Sequence, residues 1–222
     1  MAQVPQMATS VFPLPYLERL PKTGDPATAP LLILLHGRAA KAETIFSIEG
    51  MLDPSLHIIA IRGTYESPKG DFEWFLPYDY DHPLQSFTEE HFRESEAILT
   101  SQIHAHLSAI PGSDDRLFLG GFSQGAAMSH ILSLRGTIKP KGVLPMSGFF
   151  PRPILRWPLP THTSSYLITH GTSDTILPTS ESIFAYEFYM QNNIPAEYYE
   201  YNGRHKMTIP LIEKINSWIT SF

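Results

Sequence analysis

The stretch Leu117-Phe118-Leu119-Gly120-Gly121-Phe122-Ser123-Gln124-Gly125-Ala126-Ala127-Met128 constrains the fold more than any other. Its first half reads as a buried strand, and its second half opens a helix that runs to about Leu134. Between them Gly121, Ser123 and Gly125 form the pattern G-x-S-x-G. A chain can pass that abruptly from strand to helix only if the residues beside the turn are small. A serine at the apex is then held at a strained backbone angle, with its hydroxyl raised above the sheet. The chain has 14 glycines, so the pattern alone is weak evidence; the strand and helix on either side give it weight. The plainer reading of Ser123 is a helix cap.

Composition narrows the alternatives. A chain of 222 residues with 42% apolar content can bury one sizeable core, and a single α/β domain over residues 1–222 is expected. The net charge is −6 without a block of like charges, which argues against a basic nucleic-acid face. The absence of cysteine excludes disulfides and thiolate catalysis. No apolar run is long enough to span a membrane. Residues 1–10 carry no Lys or Arg and do not resemble a signal peptide, so a cytoplasmic location is expected.

Residues 1–30 are proline-rich and weakly patterned, with an edge strand expected near 16–20. Runs apolar on both faces follow at 31–35 and 57–61, then at 117–122, 142–146 and 165–169, with a last strand at 196–201. Helical patterns alternate with them. After the first run, Ile45, Phe46 and Met51 are expected inward. A capping box at Ser86-Phe87-Thr88-Glu89 starts a helix with Phe92, Leu99, Ile103 and Leu107 on one face. Gly136 stops the helix that follows Ser123. A helix from about Ser180 presents Phe184 and Phe188. Pro210 opens the last helix, whose apolar stripe is Leu211, Ile215, Trp218, Ile219 and Phe222. This alternation predicts a mostly parallel central sheet with helices on both faces. The segment 62–85 reads as a long loop carrying Phe72, Trp74, Phe75, Tyr78 and Tyr80. Loops of that length are often functional, and these aromatics either wall a pocket or cover the sheet edge.

A serine hydroxyl needs a base, and the base needs an orienting acid. In parallel sheets functional groups gather beyond the carboxyl ends of strands. His205, after the last strand, is the best base. Asp174, after the strand at 165–169, is the best acid, with Glu200 second because it lies within a strand. His36 and His170 each precede a glycine at a strand end and read as structural braces. The backbone N–H groups of Gln124 and Arg38 are the candidate oxyanion donors.

Leu34-Leu35-His36-Gly37, Arg62-Gly63, Trp74-Phe75, Gly121-Phe122-Ser123-Gln124-Gly125, His170-Gly171-Thr172-Ser173-Asp174 and His205 occur in one order. In that order the chain resembles the phospholipase/carboxylesterase family, which includes acyl-protein thioesterases and small bacterial carboxylesterases with the α/β-hydrolase fold. The resemblance runs over residues 31–222. It implies Ser123 as nucleophile, Asp174 as acid, His205 as base, and Arg38 and Gln124 as oxyanion donors. Two departures stand out. Members resembling acyl-protein thioesterases usually carry Gly-Leu-Gly-Asp-like residues after the first histidine, where this chain has Gly37-Arg38-Ala39-Ala40. A glycine usually precedes the last histidine, where Arg204 stands here. Both favour a small esterase of the wider group.

The expected activity is hydrolysis of a small-molecule carboxylic ester by a Ser-His-Asp triad, with no metal or cofactor. The alternatives are an acyl thioesterase or lysophospholipase on the same machinery, and a non-catalytic relative that binds a ligand or a protein. Trp74, Phe75, Phe149 and Phe150 are candidate pocket residues. The apolar segment that continues through Ile154, Leu155 and Trp157 reads as pocket wall or as core.

Overall fold

Side chains alternate across a strand, and here the alternation sorts the central strands onto two helical layers. The computed structural model describes residues 13–67, 70–76, 89–110, 112–159, 161 and 164–222. The strands are β1 (Tyr16–Arg19), β2 (Leu31–Leu35), β3 (His57–Ile61), β4 (Tyr65–Glu66), β5 (Phe72–Glu73), β6 (Leu117–Phe122), β7 (Gly142–Met146), β8 (Ser165–Gly171) and β9 (Ala196–Tyr201). The α-helices are α1 (Ala42–Phe46), α2 (Glu89–Ala109), α3 (Gln124–Leu134), α4 (Ser180–Gln191) and α5 (Ile209–Ile219). On one face Leu31, Ile33, Leu35, Ile59, Leu119, Val143 and Ile168 pack against α2, α3 and α4. On the other, Leu32, Leu34, Ile58, Phe118, Leu144 and Leu167 pack against α1 and α5.

The seven-stranded sheet runs β1-β3-β2-β6-β7-β8-β9. Only β1 is antiparallel. The strand β2 lies between β3 and β6, with Ile33 level with Ile59 on one side and Leu119 on the other. The chain therefore leaves β2 toward one edge and returns beside it as β6. Loops from β2 and β6 diverge at that reversal and leave a crevice at the carboxyl end of the sheet, where α/β proteins build their sites. At the β1 edge, the guanidinium of Arg19 donates to the carbonyls of Glu49, Leu52, Asp53 and Leu56. Those bonds tie the antiparallel edge strand to the loop behind α1.

The mostly parallel sheet between two helical layers is the expected architecture, with several local differences. Met51 is 49% exposed; Ile48 and Leu52 supply the apolar cover expected of it. In α4 the buried face is Ser182, Ala185 and Tyr189, while Phe184 and Phe188 are only partly buried, against Phe150. Phe222 lies beyond the end of α5 and is partly exposed, yet its ring meets those of Phe118 and Trp218. The expected loop at 62–85 begins as a short hairpin, with β4 pairing antiparallel to β5. The expected capping box at Ser86-Phe87-Thr88-Glu89, Tyr78 and Tyr80 lie outside the described residues, apart from the backbone of Glu89. Among the described residues, no helix is long and apolar enough to cross a membrane.

One buried polar group ties stability to pH. His130 in α3 lies beneath Phe150, with Nδ1 2.5 Å from the hydroxyl of Tyr189. Burial lowers its pKa from the ordinary histidine value to about 3. Between that value and about 6.5 the unfolded chain binds a proton that the folded chain refuses, so stability falls as pH falls through this window. Urea unfolding across pH 7 to 4 should show His130→Phe with a shallower loss, by up to about 1.4 kcal/mol per pH unit. Parallel curves for the variant and the parent would contradict this.

Candidate active site

Ser123 sits at φ 56 and ψ −113, between β6 and α3. That is the strained apex expected of a serine between strand and helix. The two glycines beside it are required by close approach. A Cβ on Gly125 would lie 2.6 Å from the carbonyl oxygen of His36 and closer still to that of Leu35. A Cβ on Gly121 would lie 2.6 Å from the backbone nitrogen of Ala126 and closer to the carbonyl of Gly125. The backbone of α3 thus rests on the end of β2. The N–H of Gln124, at the first position of α3, has no helical carbonyl behind it.

The loop after β2 is braced from below. The N–H of Gly63 donates to Nε2 of His36 at 2.7 Å, and Nδ1 of His36 lies 2.7 Å from the carbonyl oxygen of Gly37. These partners require a neutral ring protonated on Nδ1. Burial lowers the pKa of His36 to about 4, consistent with that form. As expected, His36 works here as a brace. It ties the end of β2 to the end of β3.

A single short segment then holds both candidate oxyanion donors. Ala40 and Phe72 exchange backbone hydrogen bonds of 3.2 and 2.9 Å. The indole Nε1 of Trp74 donates to the carbonyl of His36 at 2.7 Å. The Gln124 side chain accepts from the N–H of Trp74 and donates to the carbonyl of Phe75, both at 2.8 Å. Residues 72–75 therefore stitch the Arg38 loop to the first turn of α3. Sequence reasoning missed the Gln124 side chain and the Trp74 indole in this role. The signal was a polar amide in the first turn of a fully buried helix.

Two strained features lie in the same place. Ala39 has φ 48, in the left-handed region. This is the position where acyl-protein thioesterase-like members have a glycine. Glu73 is 1% exposed, and among the described residues its Oε2 has no hydrogen-bond partner. Burial pushes its carboxyl up to about 7, against the pull of Arg38.

The acid and the histidine come from the two neighbouring strands β8 and β9. Thr172 and Ser173 donate their N–H groups to the carbonyls of Tyr201 and Gly203, each at 2.9 Å. Those bonds dock the loop after β8 onto the loop after β9. Oδ1 of Asp174 accepts from the N–H of Ile176 at 2.8 Å and Leu177 at 3.0 Å. Its Oδ2 lies 2.6 Å from Nδ1 of His205. Burial pushes the Asp174 carboxyl up, but the bonds from Leu177, His205 and Ile176 outweigh it and leave the group below its ordinary value. The ring of His205 stands 4.8 Å from that of Phe122, the residue immediately before Ser123. With Nδ1–H committed to Asp174, Nε2 of His205 is left as an acceptor.

The structure thus pairs Asp174 with His205 and sets Gly37 against Ser123, where a Cβ would lie 3.3 Å from that of the serine. It does not bring Glu200 to this site; Glu200 is exposed and accepts from the hydroxyl of Tyr198. Trp74, Phe75 and Phe150 are core residues, and Phe149 is only 7% exposed. Phe75 stacks on Phe92 and meets Phe149 edge to face, at centroid distances of 5.1 and 6.3 Å. Among the described residues, no group of three or more His, Asp or Glu side chains could hold a metal ion.

Comparisons with known proteins identify the family and the fold. The family profile described as Phospholipase/Carboxylesterase matches residues 21–222. Acyl-protein thioesterase 1 of Saccharomyces cerevisiae is 25% identical over 166 residues, spanning 71% of this chain and 69% of that protein. The crystal structure of the Bacillus cereus carboxylesterase superposes with a TM-score of 0.80 at 19% identity, covering 96% of both chains. A carboxylesterase from Mesorhizobium loti superposes at 0.77 with 17% identity, covering 98% of this chain and 99% of that one.

Two substitutions probe the strained features. Glu73→Gln keeps the shape and removes the ionisable group. The folded carboxyl has a raised pKa, so the parent loses stability as pH rises from about 4.5 through about 7. The variant should therefore match the parent near pH 4 and exceed it by about 1–2 kcal/mol at pH 8; an equal difference at both would contradict this. Ala→Gly ordinarily destabilises by roughly 0.5–1 kcal/mol. Ala39→Gly should instead leave thermal stability unchanged or raise it by up to about 1 kcal/mol, because it relieves the positive φ. A loss of the ordinary size would show that Ala39 is unstrained.

Proposed function

The chain belongs to the phospholipase/carboxylesterase family of α/β-hydrolases, and on that premise we propose that it cleaves small carboxylic esters through Ser123, His205 and Asp174. The observation that carries the reading is the contact of 2.6 Å between His205 Nδ1 and the buried, multiply bonded carboxylate of Asp174, beside the strained turn at Ser123. In this reading Ser123 attacks the ester carbonyl while Nε2 of His205 takes its proton. The tetrahedral oxyanion is met by the N–H groups of Gln124 and Arg38. His205 then protonates the leaving alcohol, and an acyl-enzyme remains on Ser123. Water activated by His205 releases the acid and restores the serine. Asp174 fixes the imidazole tautomer and stabilises the imidazolium. Each step uses water and groups of this chain alone. Trp74 holds the Arg38 loop through the bond from its indole to the carbonyl of His36.

A thioester would be cleaved by the same steps, with a thiolate as the leaving group. The yeast relative's name points to that substrate class. The Gly37-Arg38-Ala39-Ala40 loop departs from the acyl-protein thioesterase-like pattern and favours small esters. Hydrolysis of p-nitrophenyl acetate separates the main possibilities. Ser123→Ala should lower turnover on the order of a million-fold. Asp174→Asn should lower it roughly ten-thousand-fold. A Ser123→Ala rate within tenfold of the parent would contradict the reading, whereas a parent rate no faster than buffer would point to a non-catalytic binder.

A further inference from the structure

Asp174 carries a second histidine that the mechanism above does not use. His170, near the end of β8, is completely buried. Its Nε2 lies 3.0 Å from the carbonyl oxygen of Leu177 and 3.3 Å from Oδ2 of Asp174. Its Nδ1 lies 2.7 Å from Oγ of Ser182, in the first turn of α4. The proton layout follows from one constraint. A backbone carbonyl can only accept, so Nε2 of His170 must carry a hydrogen. Burial lowers the pKa of His170 and keeps the ring neutral, so Nδ1 is a bare acceptor. The hydroxyl of Ser182 therefore donates to it. A directed chain results, from Ser182 Oγ–H to His170 Nδ1 and from His170 Nε2–H to the carbonyl of Leu177, with Oδ2 of Asp174 3.3 Å from the same nitrogen.

We propose that His170, held in this tautomer by Ser182, is a positioning residue that aims the Asp174 carboxylate and tempers its pull on His205. The inference rests on the triad reading. Oδ2 of Asp174 is shared between two imidazoles. The positive N–H edge of an imidazole this close makes a carboxylate oxygen a weaker base toward its other partner. His170 also stands behind the Asp174 loop, bonded at once to Leu177 and within reach of Oδ2. The N–H donors of Ile176 and Leu177 hold Oδ1, while His170 stands within 3.3 Å of Oδ2. Beside Asp174, the ionisable groups facing this cluster are His205 and Tyr201. Tyr201 donates its hydroxyl to the carbonyl of Lys206 and stays neutral, because burial raises its pKa. From α4 the facing group is Ser182, which does not titrate near neutral pH.

Loss of the His170 N–H leaves Oδ2 more basic, so it holds the proton on its remaining imidazole partner more tightly. The acid limb of the rate profile should then move to higher pH. The test is the pH dependence of kcat and kcat/KM on p-nitrophenyl acetate for His170→Leu, His170→Gln and Ser182→Ala, beside Asp174→Asn. His170→Leu should lower kcat tenfold to a hundredfold, with KM within about twofold. Its acid limb should rise by roughly half a pH unit or more. His170→Gln, whose amide places an N–H near the lost Nε2, should recover most of both effects. Ser182→Ala should move the limb in the same direction by less. An unchanged acid limb in His170→Leu, with or without a loss of kcat, overturns the proposal and leaves His170 as packing. If His170→Leu fails to fold, Ser182→Ala decides, and an unchanged limb there overturns it. Full activity in Asp174→Asn would instead sink the triad reading itself.

Discussion

The backbone of α3 lies directly on the carbonyls at the end of β2, and everything at the carboxyl end of the sheet follows from that contact. A side chain at Gly125 would collide with Leu35 and His36 and push the helix outward. With the helix displaced, Ser123 would lose its strained apex between β6 and α3. The Gln124 amide would also lose its two bonds to the 72–75 segment. Close approach of two backbones is thus the physical condition on which turn, Arg38 loop and hairpin jointly depend.

The site is held from two sides by different means. On the Arg38 side the fastening is made largely of backbone and amide hydrogen bonds converging on residues 72–75, with the His36 imidazole bonded to the backbone of Gly63. On the other side the loops after β8 and β9 are bonded to each other, and Asp174 is the node that collects their N–H groups. Both halves accept local unfavourable terms. Ser123 and Ala39 hold positive φ, and Glu73 is buried with an oxygen that has no hydrogen-bond partner among the described residues. Such terms persist where the surrounding structure over-determines the conformation, and functional sites are where they gather.

Much of this was legible in the residue pattern, for identifiable reasons. Runs apolar on both faces, such as 31–35 and 57–61, have one comfortable place in a fold, a parallel strand covered on both sides. The candidates Ser123, Asp174 and His205 could be picked out because each follows a strand at its carboxyl end. What stayed hidden depends on contacts between segments far apart in the chain. The β4–β5 hairpin is short and lies in a stretch without alternation, so no period announced it. Met51 was expected inward because helical spacing was extended past Phe46, where the helix in fact gives way to a 3₁₀ turn. The bond from the Trp74 indole to His36 spans 38 positions, and no local rule reaches that far. His170 was read as a brace from its place before a glycine. Its contact with Asp174 became visible only when the loop folded back through Leu177.

The central claim is that the hydroxyl at the elbow is chemically reactive because a histidine fixed by Asp174 serves it. Its most direct test is labelling with a fluorophosphonate, followed by mass mapping of the modified peptide. The account predicts one stoichiometric adduct, on Ser123, formed far more slowly in His205→Ala. A parent protein that stays unmodified, or an adduct on another serine, would contradict it.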